Sequence, residues 1–189
     1  MSASSKQTDT ASPLAALLRA KAQRGERVYG VVDAARALEL VEAAKDRSDK
    51  TRWHGSLMNG PLAKFLQHVS PHLVEIDLES DYTAEWRRWI GRSAGVLLIS
   101  SAAPEALLSH LRALFVVRDE SNAEYSFRYY DPRVLRMFLP TCDEGQLREF
   151  FGPIRLVAAE AGADGALLFY ENGGRAVSVA TAVLAAGGA

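Results

Sequence analysis

The sequence predicts an α/β domain: a mixed β-sheet flanked by helices, with a short C-terminal β-rich appendage. Three observations carry this. Apolar residues alternate along the chain between helical spacing and short β-type runs. Val96–Ile99 is apolar at every position, the pattern of a strand covered on both faces. Leu114 to Arg118 and Tyr125 to Tyr130 are β-type runs separated by the polar loop Asp119 to Glu124. They read as a hairpin, which makes the sheet mixed rather than all-parallel.

The elements follow in order. Residues 1–12 are polar and Ser/Thr-rich and read as a disordered tail. Residues 13–27 hold a short helix with Leu14, Leu17, Leu18 and Ala22 on one face, ending at Gly25. Val28–Val32 reads as a strand, and Asp33 caps a helix whose Ala34, Ala37, Leu38, Val41 and Ala44 share a face. The charged run Lys45–Arg52 reads as a solvated helix end and loop.

Pro61 opens a further helix in which Leu62, Phe65, Leu66 and Val69 form an apolar stripe, stopped by Ser70-Pro71. Leu73–Leu78 alternates as a strand does. Trp86, Trp89 and Ile90 mark one side of the next helix, which ends at Gly91. Pro104 starts another, with Leu107, Leu108, Leu111 and Leu114 inward.

Past the hairpin, Asp131-Pro132 is a helix opening, a capping carboxylate followed by proline in the first turn. Val134, Leu135, Phe138 and Leu139 line that helix, and Pro140 ends it. Thr141 and Glu144 have capping-box spacing before a helix carrying Leu147, Phe150 and Phe151, which Gly152-Pro153 stops. Residues 28–153 form the main domain and 154–189 the appendage. In the appendage Ile154–Val157, Ala166–Tyr170 and Ala176–Val179 read as short strands, turned at Gly162–Gly165 and Asn172-Gly173-Gly174.

Composition excludes several classes of function. The 189 residues are 48% hydrophobic and 24% charged, which excludes a wholly disordered or collagen-like chain. A formal net charge of −1 gives no global positive field, so neither nucleic acid nor membrane is an expected partner. The lone cysteine, Cys142, has no internal disulfide partner and fits a reducing compartment. The N-terminus lacks the basic-then-apolar layout of a secretory signal, and a cytoplasmic location is expected.

The motifs of catalysis are missing. His68 and His72 have helical metal-ligand spacing, but Pro71 between them breaks the helix, and the four histidines read as surface or half-buried. Gly91-Arg92-Ser93-Ala94-Gly95 sets a serine between glycines in a helix-to-strand context, the reverse of a nucleophile elbow, and reads as a tight loop. No phosphate-binding glycine motif occurs. Asp77, Glu79 and Asp81 read as a solvated loop with Asp81 as a helix cap. No catalytic, cofactor-binding or metal-ligating residue is therefore assigned.

One dense constellation remains. Arg128 and Tyr130 share one face of the expected strand, and Phe127 and Tyr129 the other. Arg133 and Arg136 follow on the first turns of the helix, and Arg118 lies on the partner strand. Arginine and tyrosine are enriched at interface hot spots, so Arg118, Arg128, Tyr130, Arg133 and Arg136 are candidate partner-binding residues, with Asp131 and Pro132 structural. The same arginines equally suit an internal ion-pair network with Asp131 or Asp119 that fixes the hairpin to the helix.

The string Phe127–Leu135 followed by Phe138-Leu139-Pro140 closely resembles the signature of the family called domain of unknown function 4123. Tyr29–Ala35, Ser70–Ile76, Gly91–Leu98, Leu111–Asp119 and Phe150–Pro153 are similar to other segments of that family, in order, across residues 28–153. Ala94 stands where the family often has an aromatic residue, and the C-terminal region is shorter than in its longer members.

The resemblance implies a non-enzymatic type VI secretion adaptor, or effector chaperone. Such a protein would hold a cognate effector in the cytoplasm and help load it onto a VgrG-type spike. Two other readings stand beside it. One is an enzyme or binding protein holding an anionic small molecule with Arg118, Arg128 and Arg133, and using Asp131 or His110 as acid or base. The other is a self-associating structural protein.

Overall fold

The computed structural model describes residues 12–47, 50–61, 63–118, 121–162 and 165–184. Residues 1–11 of the expected tail, Leu62 of the expected helix, Asp119-Glu120 of the hairpin loop and Ala163-Asp164 of the turn lie outside the described residues.

The chain begins with α1 (Pro13–Lys21), β1 (Arg27–Asp33), α2 (Ala34–Asp46), β2 (Arg52–Ser56), β3 (Pro71–Ile76), α3 (Tyr82–Arg87) and β4 (Gly95–Ser100). Next come α4 (Pro104–Phe115), β5 (Val116–Arg118), β6 (Glu124–Ser126), α5 (Pro132–Phe138) and α6 (Glu144–Phe151). The chain closes with β7 (Ile154–Glu160), β8 (Ala166–Asn172) and β9 (Val177–Val183). Seven strands form one sheet in the order β2-β3-β1-β4-β7-β8-β9, and β5-β6 is a separate ribbon.

The α/β class holds, with helices on both faces of a sheet and a β-rich C-terminus. The strand directions differ from a mixed sheet: every pairing within it is antiparallel. The reason lies in the crossovers. β1-α2-β2 and β3-α3-β4 each join strands that run the same way, but an antiparallel strand is interposed in each case, giving the order of a split β-α-β motif. The hairpin forms, but β6 stops at Ser126, and the ribbon stands off the sheet instead of joining it. The C-terminal strands continue the main sheet outward from β4.

Alternation along the strands builds two cores. Val28 and Val32 of β1, with Leu97 and Ile99 of β4, face α1, α2 and α3. Tyr29, Val31, Val96 and Leu98 face the opposite layer, built from α4, α5 and α6. The continuous apolar run at Val96–Ile99 is thus covered on both faces, as its pattern predicts.

Several local readings are corrected. Residues 61 and 63–69 form turns in place of the expected helix, and Phe65 is 75% exposed because no layer faces the stripe. β2 begins at Arg52, the last residue of the run read as a loop, and its other four residues carried no secondary-structure reading; it pairs with β3 through a bulge between Trp53 and Gly55. The capping box is Asp143 with Gln146, since the Thr141 hydroxyl is spent on Phe138 O at the close of the preceding turn. Asp81 occupies the N-cap position of α3 without a side-chain capping bond.

In β1 and β4 two positions leave room only for glycine, one beneath a tryptophan ring and one against the neighbouring backbone. A Cβ on Gly30 would lie 2.3 Å from the Trp86 ring. Gly95 has φ +153°, and a Cβ there would lie 2.0 Å from Val31 O. Gly95→Ala is expected to destabilise the fold by about 3 kcal/mol through clash and backbone strain. The urea midpoint measures this; an unchanged midpoint would mean that β1 and β4 can separate freely at this point.

Candidate functional site

One end of the sheet gathers the arginines and tyrosines that the sequence singles out. β1 and β7 finish there and β4 begins there, so Asp33, Glu160 and the Gly91–Gly95 loop meet. Asp33 is buried, and its carboxylate accepts from Ala35 N to cap α2. Its other oxygen accepts from Arg128 Nη2 at 3.0 Å and lies 3.7 Å from Arg36 Nε.

Asp131, also buried, caps α5 through Arg133 N and takes a two-pronged ion pair from the Arg133 guanidinium, at 2.9 and 2.6 Å. Burial pushes the Asp131 carboxyl up, and the Arg133 hydrogen bonds outweigh it, leaving its pKa below the usual value. The Arg128 guanidinium also lies 5.8 Å from the centre of the Tyr130 ring. Burial, with the Asp33 charge adding to it, raises the Tyr130 phenol. Arg136 donates to the backbone carbonyl of Glu160.

The buried Glu160 carboxylate accepts from Gly91 N at 2.6 Å and from both Ser93 N and Ser93 Oγ at 2.9 Å. It thereby ties the glycine-serine loop to β7. The cavity beside Glu160 measures about 10 Å³, room for one water rather than a substrate.

Arg128, Tyr130, Asp131, Pro132, Arg133 and Arg136 are therefore brought together, and the arginines among them are engaged with the protein itself. Residues 127–131 are a turn leading into α5 rather than the end of a strand, so the two-face alternation expected there does not apply. Arg118 ends β5, and its side chain lies outside the described residues. Sequence reasoning read Asp33 as a cap but missed its pairing with Arg128, 95 positions away. Glu160 carried no signal at all.

Among the described residues no group of three or more His, Cys, Asp or Glu side chains is placed to hold a metal. His72 is fully buried, where a surface or half-buried histidine was expected, because β3 lies inside the sheet. Trp53 Nε1 donates to its Nδ1 at 2.9 Å, so Nε2 carries the proton and donates to Gln67 O at 2.7 Å. Ser70 Oγ sits 3.3 Å from Nε2, which in that tautomer has no lone pair to activate it. Burial, with the Lys45 charge, holds the His72 pKa below the usual value despite the bond to Gln67. Burial raises the Cys142 thiol, so it shows no thiolate character.

A second feature lies on the face built by α4 to α6. An apolar groove of about 360 Å³ runs between the β5–β6 ribbon and helices α5 and α6. Leu114, Val116, Val117, Phe127, Phe138 and Phe150 line it, with Glu149 on α6 bringing a negative charge to it. Val116 and Val117 are exposed, and Met137 on neighbouring α5 is 78% exposed. The sequence held one hint: two consecutive valines in a ribbon detached from the core.

These features define a class, an antiparallel α/β scaffold with an internally paired ionic end and an open apolar groove. Residues 28–149 match the family described as "Domain of unknown function (DUF4123)", and the chain belongs to that family. No curated protein and no solved structure matches it. The matched segment runs from β1 into α6 and contains the ionic end apart from Glu160 and the groove apart from Phe150. Among the described residues no helix is long and apolar enough to cross a membrane.

Two outcomes are expected. Arg128→Ala leaves the Asp33 carboxylate buried beside only a distant Arg36, and should cost about 2 kcal/mol once solvent exposure of the guanidinium is allowed for. Denaturant midpoints test this; a loss below about 0.5 kcal/mol would assign Arg128 to the surface. His72 has a depressed pKa in the fold, so the unfolded chain binds more protons as pH falls below about 6.5. Stability should then decline on acidification by up to about 1.4 kcal/mol per unit, until the folded-state pKa is reached. His72→Gln should flatten that slope, and an equal slope in both proteins would show that His72 titrates normally.

Proposed function

We propose that this protein is a non-catalytic adaptor, or effector chaperone, of a type VI secretion system. It binds a cognate effector in the cytoplasm and helps load it onto a VgrG-type spike protein. The apolar groove beside the β5–β6 ribbon carries this reading, because it offers aromatic and branched side chains to an extended or helical segment. The motif resemblance supplies the secretion context. Glu149 favours an apolar segment carrying a lysine or arginine. No cofactor is required.

The arginine cluster serves in this reading as the frame that fixes α5, and with it one wall of the groove. The anionic-ligand reading has less support, since Arg128 and Arg133 are committed to Asp33 and Asp131. Arg118 lies at the end of the ribbon and remains a proposed contact, as do the solvent-facing parts of Arg128, Arg133 and Arg136, whereas Tyr130 is buried and belongs to the frame.

Co-expression with the effector and spike proteins of a type VI secretion system from the same genome should yield a complex that survives purification at low salt. Val117→Asp and Met137→Asp should weaken effector capture at least tenfold while leaving the melting temperature within a few degrees. Absence of any complex, or capture undiminished by both substitutions, would overturn the proposal.

A further inference from the structure

The two edges of the sheet are built differently. β2, at one edge, is five residues long, carries Arg52, and is interrupted by the Trp53/Gly55 bulge. Lys45 Nζ also lies 5.1 Å from the centre of the Trp53 ring. Short length, charge and a bulge are the means by which natural edges avoid pairing with other chains. β9, at the opposite edge, has none of them. Its seven residues pair with β8 in unbroken register, and Val177-Ser178-Val179-Ala180-Thr181-Ala182-Val183 contains no charge and no proline.

The hydrogen-bond phase shows what this edge offers. Gly173 N donates to Ala176 O, and Leu184 N donates to Gly165 O. In an antiparallel ladder the bonded positions alternate. The even-numbered residues of β9 therefore bond to β8, and Val177, Val179, Thr181 and Val183 turn their N–H and C=O groups outward. The same four side chains share one face, and they are all β-branched. Val179 is 51% and Val183 71% exposed, past the point where Tyr170 and Leu168 of β8 still pack on the core.

We infer that β9 pairs with the β9 strand of a second copy of this chain, antiparallel about a two-fold axis at Ala180. The strand is complementary to itself. Each outward-facing residue meets another outward-facing residue, so both partners' backbone groups are satisfied. Val177 lies opposite Val183 of the second copy, and Val179 opposite its Thr181, on one shared face. These are β-branched cross-strand pairs of the kind that stabilise sheets. A charged edge would require opposite charges in its partner, whereas this uncharged one brings no like charges together. The two seven-stranded sheets become one continuous sheet, and both apolar grooves stay accessible, because β9 is the far edge from β2 and is separate from the β5–β6 ribbon. The inference does not depend on the adaptor reading.

Light scattering with sedimentation on the full chain tests it, with thermal melts to confirm folding. The wild type should have twice the chain mass at micromolar concentration. Val179→Lys/Thr181→Lys places lysines opposite lysines across the axis, and Val179→Glu/Thr181→Glu does the same with glutamates. Each should raise the dissociation constant at least tenfold, and mixing the two should restore a dimer containing one of each. Val179→Pro removes an outward N–H without touching the β8 ladder, and should also give monomer. A wild type that is monomeric at about 100 μM, far above a micromolar dissociation constant, overturns the inference. So does a dimer indifferent to all three variants, or a lysine and glutamate pair that does not recombine.

Discussion

The rest of the structure hangs on the buried carboxylate at the end of β1. Asp33 ends β1 inside the sheet, caps α2 and receives Arg128 from the segment before α5, while its backbone N–H donates to Ala94 O just before β4. Those bonds join both helical layers to the sheet at a single residue. An ionised carboxylate in so enclosed a place is tolerable only when it is paired and hydrogen-bonded. The demand runs both ways: Asp33 needs Arg128, and the position of Arg128 then sets where residues 127–131 turn and where α5 begins. Asp131 repeats the device one step later, capping α5 and clamping Arg133.

The same constraint explains why the arginine-rich string looked ambiguous in the sequence. Arg/Tyr density is common to interfaces and to internal frames, and the distinction depends on partners far away in the chain. Asp131 sits two residues from Arg133 and could be anticipated; Asp33 and Glu160 could not. Local signals were legible where physics is local. Asp33 and Asp131 as caps, Pro132 in a first turn, the two-sided burial of Val96–Ile99 and the three C-terminal strands all follow from side-chain chemistry within a few residues.

What was not legible depends on tertiary partners. The stripe Phe65, Leu66, Val69 has helical spacing, yet a short helix gains stability mainly by burying such a stripe, and no layer covers this one. β2 was hidden because its neighbours supply its stability: Trp53 donates to the buried His72 on β3, and Arg112 on α4 donates to Ser56 O. Strand direction was hidden for a topological reason. Helix-linked strands do run parallel here, and only the third strand between them makes every pairing antiparallel. The groove is legible only in part, since Val116 and Val117 are close in sequence while Phe138 and Phe150 come from later helices.

The family match stops within α6, before β7, but the fold does not divide there. β7 pairs directly with β4 inside the sheet, and its last residue supplies the carboxylate that holds the Gly91–Ser93 loop. Without β7 one edge of β4 would lose its hydrogen-bonding neighbour, and three loop donors would lose their acceptor. Arg155 binds β7 to Glu26 and to the Lys21 carbonyl at the end of α1, which ties β7 back to the segment leading into β1. The C-terminal strands are thus a structural requirement of the core as far as β7 and β8. β9, whose side chains are mostly exposed, pairs on one side only among the described residues, and unlike β2 at the other edge it carries neither a charge nor a bulge.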